Sequence, residues 1–211
     1  MANPHAPVCR LCRREGVKLF LKGEKCIGER CTFTRRNATP PGQHGLSRRR
    51  RISEYGIQLR AKQRGRRIFG VMETQFHNYF DQAAARNGVT GTLLLQLLEQ
   101  RLDNVVYRAG FASSRSEARQ MVGHRHFQVN GRTVNIPSFQ VKPGQVVEVR
   151  ERSRELQAIT RSLELRGDQG RPPWLALDSE QRRVEVTRLP ERPEMDTTID
   201  EQLIVEWYSR Q

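Results

Sequence analysis

Residues 101–134 read RLDNVVYRAGFASSRSEARQMVGHRHFQVNGRTV, and the punctuation within them sets the architecture of the middle of the chain. Gly110 stops a helical stretch in which Leu94, Leu95, Leu98, Leu102, Val105 and Val106 recur at helical spacing, which predicts one helix over Thr90–Ala109. Ser114-x-x-Glu117 is a capping box: the serine side chain accepts from a first-turn amide and the glutamate reaches back. The short helix it starts puts Ala118, Met121 and Val122 inward and leaves Arg115, Arg119 and Arg125 to point out. Two short strands follow around Asn130-Gly131, whose tolerance of positive φ suits a two-residue hairpin. Lys142-Pro-Gly-Gln makes a second turn before a strand over Val146–Arg150. The stretch from Glu99 to Arg150 therefore reads as two helices packed on a small sheet with a basic rim.

Outward from this core the pattern is mostly helical. Toward the N-terminus, Met72–Arg86 reads as an amphipathic helix with Met72, Phe76, Tyr79, Phe80, Ala83 and Ala84 on one side, closed by Asn87-Gly88. Another helix starts at Ser53 and is expected to be interrupted at Gly65. Toward the C-terminus, Glu151–Arg166 is helical, and Trp174–Leu177 and Val184–Leu189 read as strands. Leu175 and Leu177 flank Trp174, so it is expected to pack rather than to stack on a base. Pro190–Asp196 is a breaker-rich link to a final helix over Asp200–Tyr208, with Leu203, Ile204 and Trp207 on one side.

The charge is not spread evenly. The net +14 lies within positions 1–72, which hold 18 Lys/Arg against 4 acids, while from position 73 onward 19 of each sign cancel. A concentrated basic arm on a neutral body points to a polyanion, nucleic acid first, because each neutralised phosphate releases a condensed counterion. The Arg48–Arg51 block repels itself unless a partner neutralises it. No long apolar run exists to span a bilayer, and the N-terminus lacks an apolar signal core, so no membrane partner and a cytoplasmic location are expected.

Four cysteines sit in the arm as Cys9-x-x-Cys12 and Cys26-x-x-x-x-Cys31, with a short loop between the pairs. This is the ligand spacing of a structural zinc site, in which four thiolates leave no open position for catalysis. The same ligands could hold an iron–sulfur cluster, and two disulfides are the remaining alternative. A segment with so little apolar content is expected to need its metal in order to fold. His44 is read as a turn residue or phosphate contact.

The stretch from Arg101 to Val149 resembles the small RNA-binding module named after the fourth protein of the small ribosomal subunit. Beyond it, PVCRLCRREGVKLFLKGEKC, PPGQHG, QLRAKQ and DEQLIVEWYSR are similar to the bacterial family of that ribosomal protein, in its zinc-carrying, four-cysteine form. The resemblance covers essentially the whole chain. It implies an α+β protein with a zinc-bound N-terminal arm (1–45), a helical domain (46–98 with 190–211), and an inserted RNA-binding module with its extension (99–189), built of helices on a short antiparallel sheet. It implies a ribosome-bound structural protein that binds the 5′ domain of small-subunit rRNA early in assembly. It also implies contact with neighbouring small-subunit proteins, especially the fifth, an influence on translational accuracy, and proximity to mRNA where it enters the subunit. Carried over, the RNA-facing positions of the module are Arg115, Arg119, His124, Arg125, Asn130 and Arg132. Those of the arm are Arg10, Arg13, Arg14, Arg35, Arg36, Arg48, Arg49, Arg50 and Arg51; the residues themselves add His44, Arg64, Arg66 and Arg67, whose charge and setting suit phosphates.

Two other classes compete. An RNA-modifying enzyme would need a further catalytic domain beside the arm and the module, and His124, His126 and Glu117 have no nucleophile or orienting group beside them. A zinc-dependent DNA-binding regulator would need a recognition helix, and the cysteine segment offers none with base-reading side chains.

Overall fold

The structure, a computed structural model, describes residues 7–35, 39–46, 52–166 and 171–210. Arg36 and Arg48–Arg51 lie outside them. In chain order the helices are α1 (Cys9–Glu15), α2 (Glu24–Ile27), α3 (Thr32–Arg35), α4 (Glu54–Phe69), α5 (Glu73–Ala84), α6 (Thr90–Glu99), α7 (Leu102–Arg108), α8 (Arg115–Gly123), α9 (Gln157–Arg166) and α10 (Glu201–Ser209). The strands are β1 (Phe127–Val129), β2 (Arg132–Thr133), β3 (Val146–Val149), β4 (Leu175–Asp178) and β5 (Arg183–Val186). Two compact units result: residues 1–91 with 198–211, and residues 92–197 between them in sequence.

In the first unit α10 lies along α4. The expected break at Gly65 does not occur, and α4 continues through it to Gly70, which caps the helix at φ 64°. Gly65 serves close packing instead: a Cβ there would stand 3.4 Å from Ile204 and 3.5 Å from Phe76. The apolar face of α5 is narrower than the sequence suggests. Phe76, Tyr79 and Ala83 are buried, but Met72 is extended backbone at the cap and 52 % exposed. Tyr208 stacks on Phe80 at 4.5 Å, and Tyr55 tilts against Trp207 at 4.6 Å. Lys62, also buried, stays satisfied through Glu73 at 2.5 Å and the Trp207 ring at 5.0 Å.

The cysteine arm belongs to this unit. Glu15, at the end of α1, is buried and receives hydrogen bonds from Arg60 (3.1 Å) and Arg67, two turns apart on α4. Leu19 is buried as well. Arg13 closes the far side by donating to the Thr39 carbonyl at 2.6 Å and the Pro40 carbonyl at 3.1 Å.

In the second unit the expected helix over Thr90–Ala109 is split at Gln100–Arg101. The amides of Leu102 and Asp103 donate to the carbonyls of Phe139 (2.8 Å) and Pro137 (3.1 Å), and the Val141 amide donates to the Gln100 carbonyl at 2.9 Å. Pairing with a distant segment takes these groups out of the helical ladder. Arg101, fully buried, then holds Asp103 through two hydrogen bonds of 3.0 and 2.6 Å. The expected helix over Glu151–Arg166 divides likewise, into a 3-10 turn at Glu151–Ser153 and α9.

Ser114 caps α8 by accepting from the Glu117 amide at 3.3 Å. The Glu117 carboxylate reaches one residue further back than a capping box requires, to the Ser113 amide (2.7 Å) and hydroxyl (2.5 Å). Asn130 and Gly131 turn the hairpin at φ 48° and 76°. The sheet is larger than expected: five antiparallel strands in the order β2-β1-β3-β5-β4, so the hairpin of β4 and β5 completes the module's sheet. Phe127, Val129, Val147, Val149, Val184 and Val186 alternate into one core with Phe111, Ile159 and Trp174. Trp174, at 1 % exposure, is a packing residue. Gln128, Glu148 and Arg183 pair in register on the other face.

Candidate nucleic-acid interface and thiol cluster

All four cysteines are free thiols, and Cys12, Cys26 and Cys31 are buried. Burial pushes the Cys12 thiol up, as does charge on Cys26, Cys9 and Cys31, while the Leu19 amide opposes the shift. Cys26 is raised by burial, opposed by the Lys22 amide, which donates to its Sγ at 3.3 Å, and raised further by Cys31 and Cys9. Burial also raises Cys31, but amide donors from Thr34 and Phe33, together with Lys18, outweigh it and bring the thiol down. The four sulfurs are thus electrostatic neighbours, and amide N–H groups aim at three of them. Among the described residues no three His, Cys, Asp or Glu side chains already stand arranged to hold a metal ion. By donor chemistry the set fits a thiophilic ion: four sulfurs in a mostly buried site, amides oriented toward anionic sulfur, and a lysine as counter-charge.

Around the thiols the cations fall into two groups. Arg10, Arg14, Arg35 and His44 are exposed. Arg13 is tied to backbone carbonyls. Arg64 donates to the Thr198 carbonyl at 3.1 Å, Arg66 pairs with Glu73 at 3.4 Å and Arg67 with Glu15. Burial holds the Arg67 guanidinium below its ordinary value, against the pull of Glu15. The last three arginines are therefore anchors of the first unit. Glu15, which organises two of the α4 cations, escaped the sequence reading, although a lone acid between Arg14 and a run of cations was there to be seen.

On the module, Arg115 does not point out as expected. It donates to Asn104 at 2.8 Å and lies 4.6 Å above the Tyr107 ring. Burial and the neighbouring Arg108 lower its pKa. Asn104 and Arg108 both bind the Glu99 carboxylate, so α6, α7 and α8 share one polar knot. Arg119 is half exposed, 3.6 Å from Asp103. His124, Arg125, Asn130 and Arg132 are exposed along the α8 end and the hairpin. Arg125 sits at φ 64°, and its carbonyl accepts from Arg150 at 3.2 Å. His126 is held below the usual histidine value by burial, His124 and Arg150, with Nδ1 2.9 Å from the Ser153 hydroxyl. The arrangement is a rim of exposed cations that can hold phosphate; the one hydroxyl set beside an imidazole among its described residues, Ser153 at His126, is buried and so is not presented to a substrate.

This is the build of an RNA-binding module on a basic carrier, and the comparisons agree. Residues 4–99 match the ribosomal protein S4/S9 N-terminal domain, and residues 100–147 match the S4 domain. The small ribosomal subunit protein uS4A of Symbiobacterium thermophilum is 60 % identical over 210 residues, covering 100 % of both chains. The uS4 of Natranaerobius thermophilus is 55 % identical over the same span, and that of Thermus thermophilus is 53 % identical over 97 % of each chain. The chain belongs to the small ribosomal subunit protein uS4 family, whose members are structural ribosomal proteins and not enzymes. No described helix is long and apolar enough to cross a membrane.

Proposed function

We propose that this chain is a primary rRNA-binding protein that engages the 5′ domain of small-subunit rRNA and helps nucleate its assembly. The observation that carries the reading is the end-to-end correspondence with uS4 proteins at up to 60 % identity. The exposed cations of the arm neutralise phosphates, and the rim of α8 and the hairpin recognises the shape of folded RNA. Cys9, Cys12, Cys26 and Cys31 hold a zinc ion, which supplies four cross-links to a segment with little core of its own; an iron–sulfur cluster is the alternative occupant. On the ribosome the chain contacts neighbouring small-subunit proteins, the fifth above all, and lies near mRNA where it enters, so that it contributes to translational accuracy. Ribosome-bound, it resides in the cytoplasm. The test is binding of the metal-loaded protein to the 5′ domain, to duplex DNA and to an unrelated folded RNA across a salt series. Selective binding to the 5′ domain at physiological salt is expected; equal binding to all three polyanions would overturn the reading.

A further inference from the structure

Many arginines of the second unit already have an acidic partner. Arg101 and Arg119 reach Asp103, Arg108 reaches Glu99, Arg183 reaches Asp178 at 3.3 Å, and Arg188 reaches Glu194. Arg150, Arg152 and Arg154 differ. They follow β3 through the 3-10 turn and line one open cleft of about 530 Å³ with Gln128, Glu148 and Glu151. Although two carboxylates line the same cleft, none of the three arginines has an ion pair among the described residues. Arg150 is only positioned, by its bond to the Arg125 carbonyl. Ser153, buried between Arg152 and Arg154, donates its amide to the Arg150 carbonyl at 2.8 Å and pairs its hydroxyl with His126, which anchors the centre of the turn presenting the guanidinia.

We infer that this cleft is a second RNA-contact site on the module, taking the phosphodiester backbone of a structured RNA strand. Three guanidinia lining one open cleft offer several separate forked donors, which suits successive phosphates of a strand. The site rests on the rRNA-binding reading for the identity of its strand, but not for its phosphate chemistry.

The experiment measures the salt dependence of 5′-domain binding by the full-length protein carrying Arg152→Gln and Arg154→Gln together. Arg150→Gln is measured separately, and Arg183→Gln, already paired with Asp178, serves as control. Loss of two phosphate contacts is expected to lower the slope of log affinity against log salt by about 1.4 to 1.8. The melting temperature should not change, because both side chains are exposed and without an ion pair. An unchanged slope in the double variant overturns the inference while leaving the proposed function standing. Wild-type binding without 5′-domain preference, but with the same drop in slope on any folded RNA, removes the proposed function and keeps the phosphate site. Unchanged RNA binding with loss of binding to polyglutamate would assign the cleft to an acidic protein and also overturn it.

Discussion

Glu15 shows how a single residue decides what its neighbours can do. Its buried carboxylate faces Arg60 and Arg67, so removing the charge leaves two guanidinia confronting each other in a partly desolvated site. Glu15→Gln is expected to destabilise the first unit by about 2–4 kcal/mol in urea unfolding, short of a fully buried pair because both arginines keep some solvent. His126 supplies a pH signature. Its folded pKa lies below the unfolded value, so the unfolded chain binds the proton first. The stability contributed is complete above about pH 6.5 and is lost as pH falls below it. His126→Gln should flatten the stability profile below about pH 6.5; an unaltered profile would overturn this assignment.

Among the secondary-structure elements, α8 and its cap were plain in the sequence because they depend on neighbours in the chain. Ser114→Ala removes one amide's partner and should cost about 1 kcal/mol by thermal unfolding. The hairpin was equally legible, since Asn130-Gly131 needs positive φ and little else. The breaks were not. Nothing local in Gln100–Arg101 stops a helix; the cause is the 137–141 segment, whose carbonyls accept from the Leu102 and Asp103 amides and whose Val141 amide donates to the Gln100 carbonyl, although it lies far along the chain. Gly65 misled in the opposite sense. A glycine inside a helix usually weakens it, and here it admits Ile204 and Phe76.

For the protein as a whole, the proposed function is tested at the thiol cluster and the basic arm. With zinc on the four thiols as proposed, chelation or Cys9→Ala should release the ion and loosen the 7–35 segment, seen as protease cleavage there. Because Glu15 ties that segment to α4, a modest drop in stability of the first unit should accompany it, and the second unit should melt unchanged. Replacing Arg48–Arg51 by alanine should lower the salt slope by up to about four contacts; an unchanged slope would show the block solvated in the complex. This last expectation rests on sequence alone.

The class of this protein was legible before any coordinate: a basic four-cysteine arm, a capped helix and hairpin of an RNA-binding module, and the alternating strands that follow. These are written in spacing, turn chemistry and charge, all local quantities. Which cations remain available to RNA came from the packed fold. Arg115, Arg64, Arg66 and Arg67 look like the others in the chain, yet acids, carbonyls and a ring engage them, several of these distant in sequence. Arg150, Arg152 and Arg154 stand together in the sequence, but that they line one cleft with no ion-pair partner among the described residues is decided by the fold. Pairing between charges depends on distance in space, which one-dimensional order does not encode.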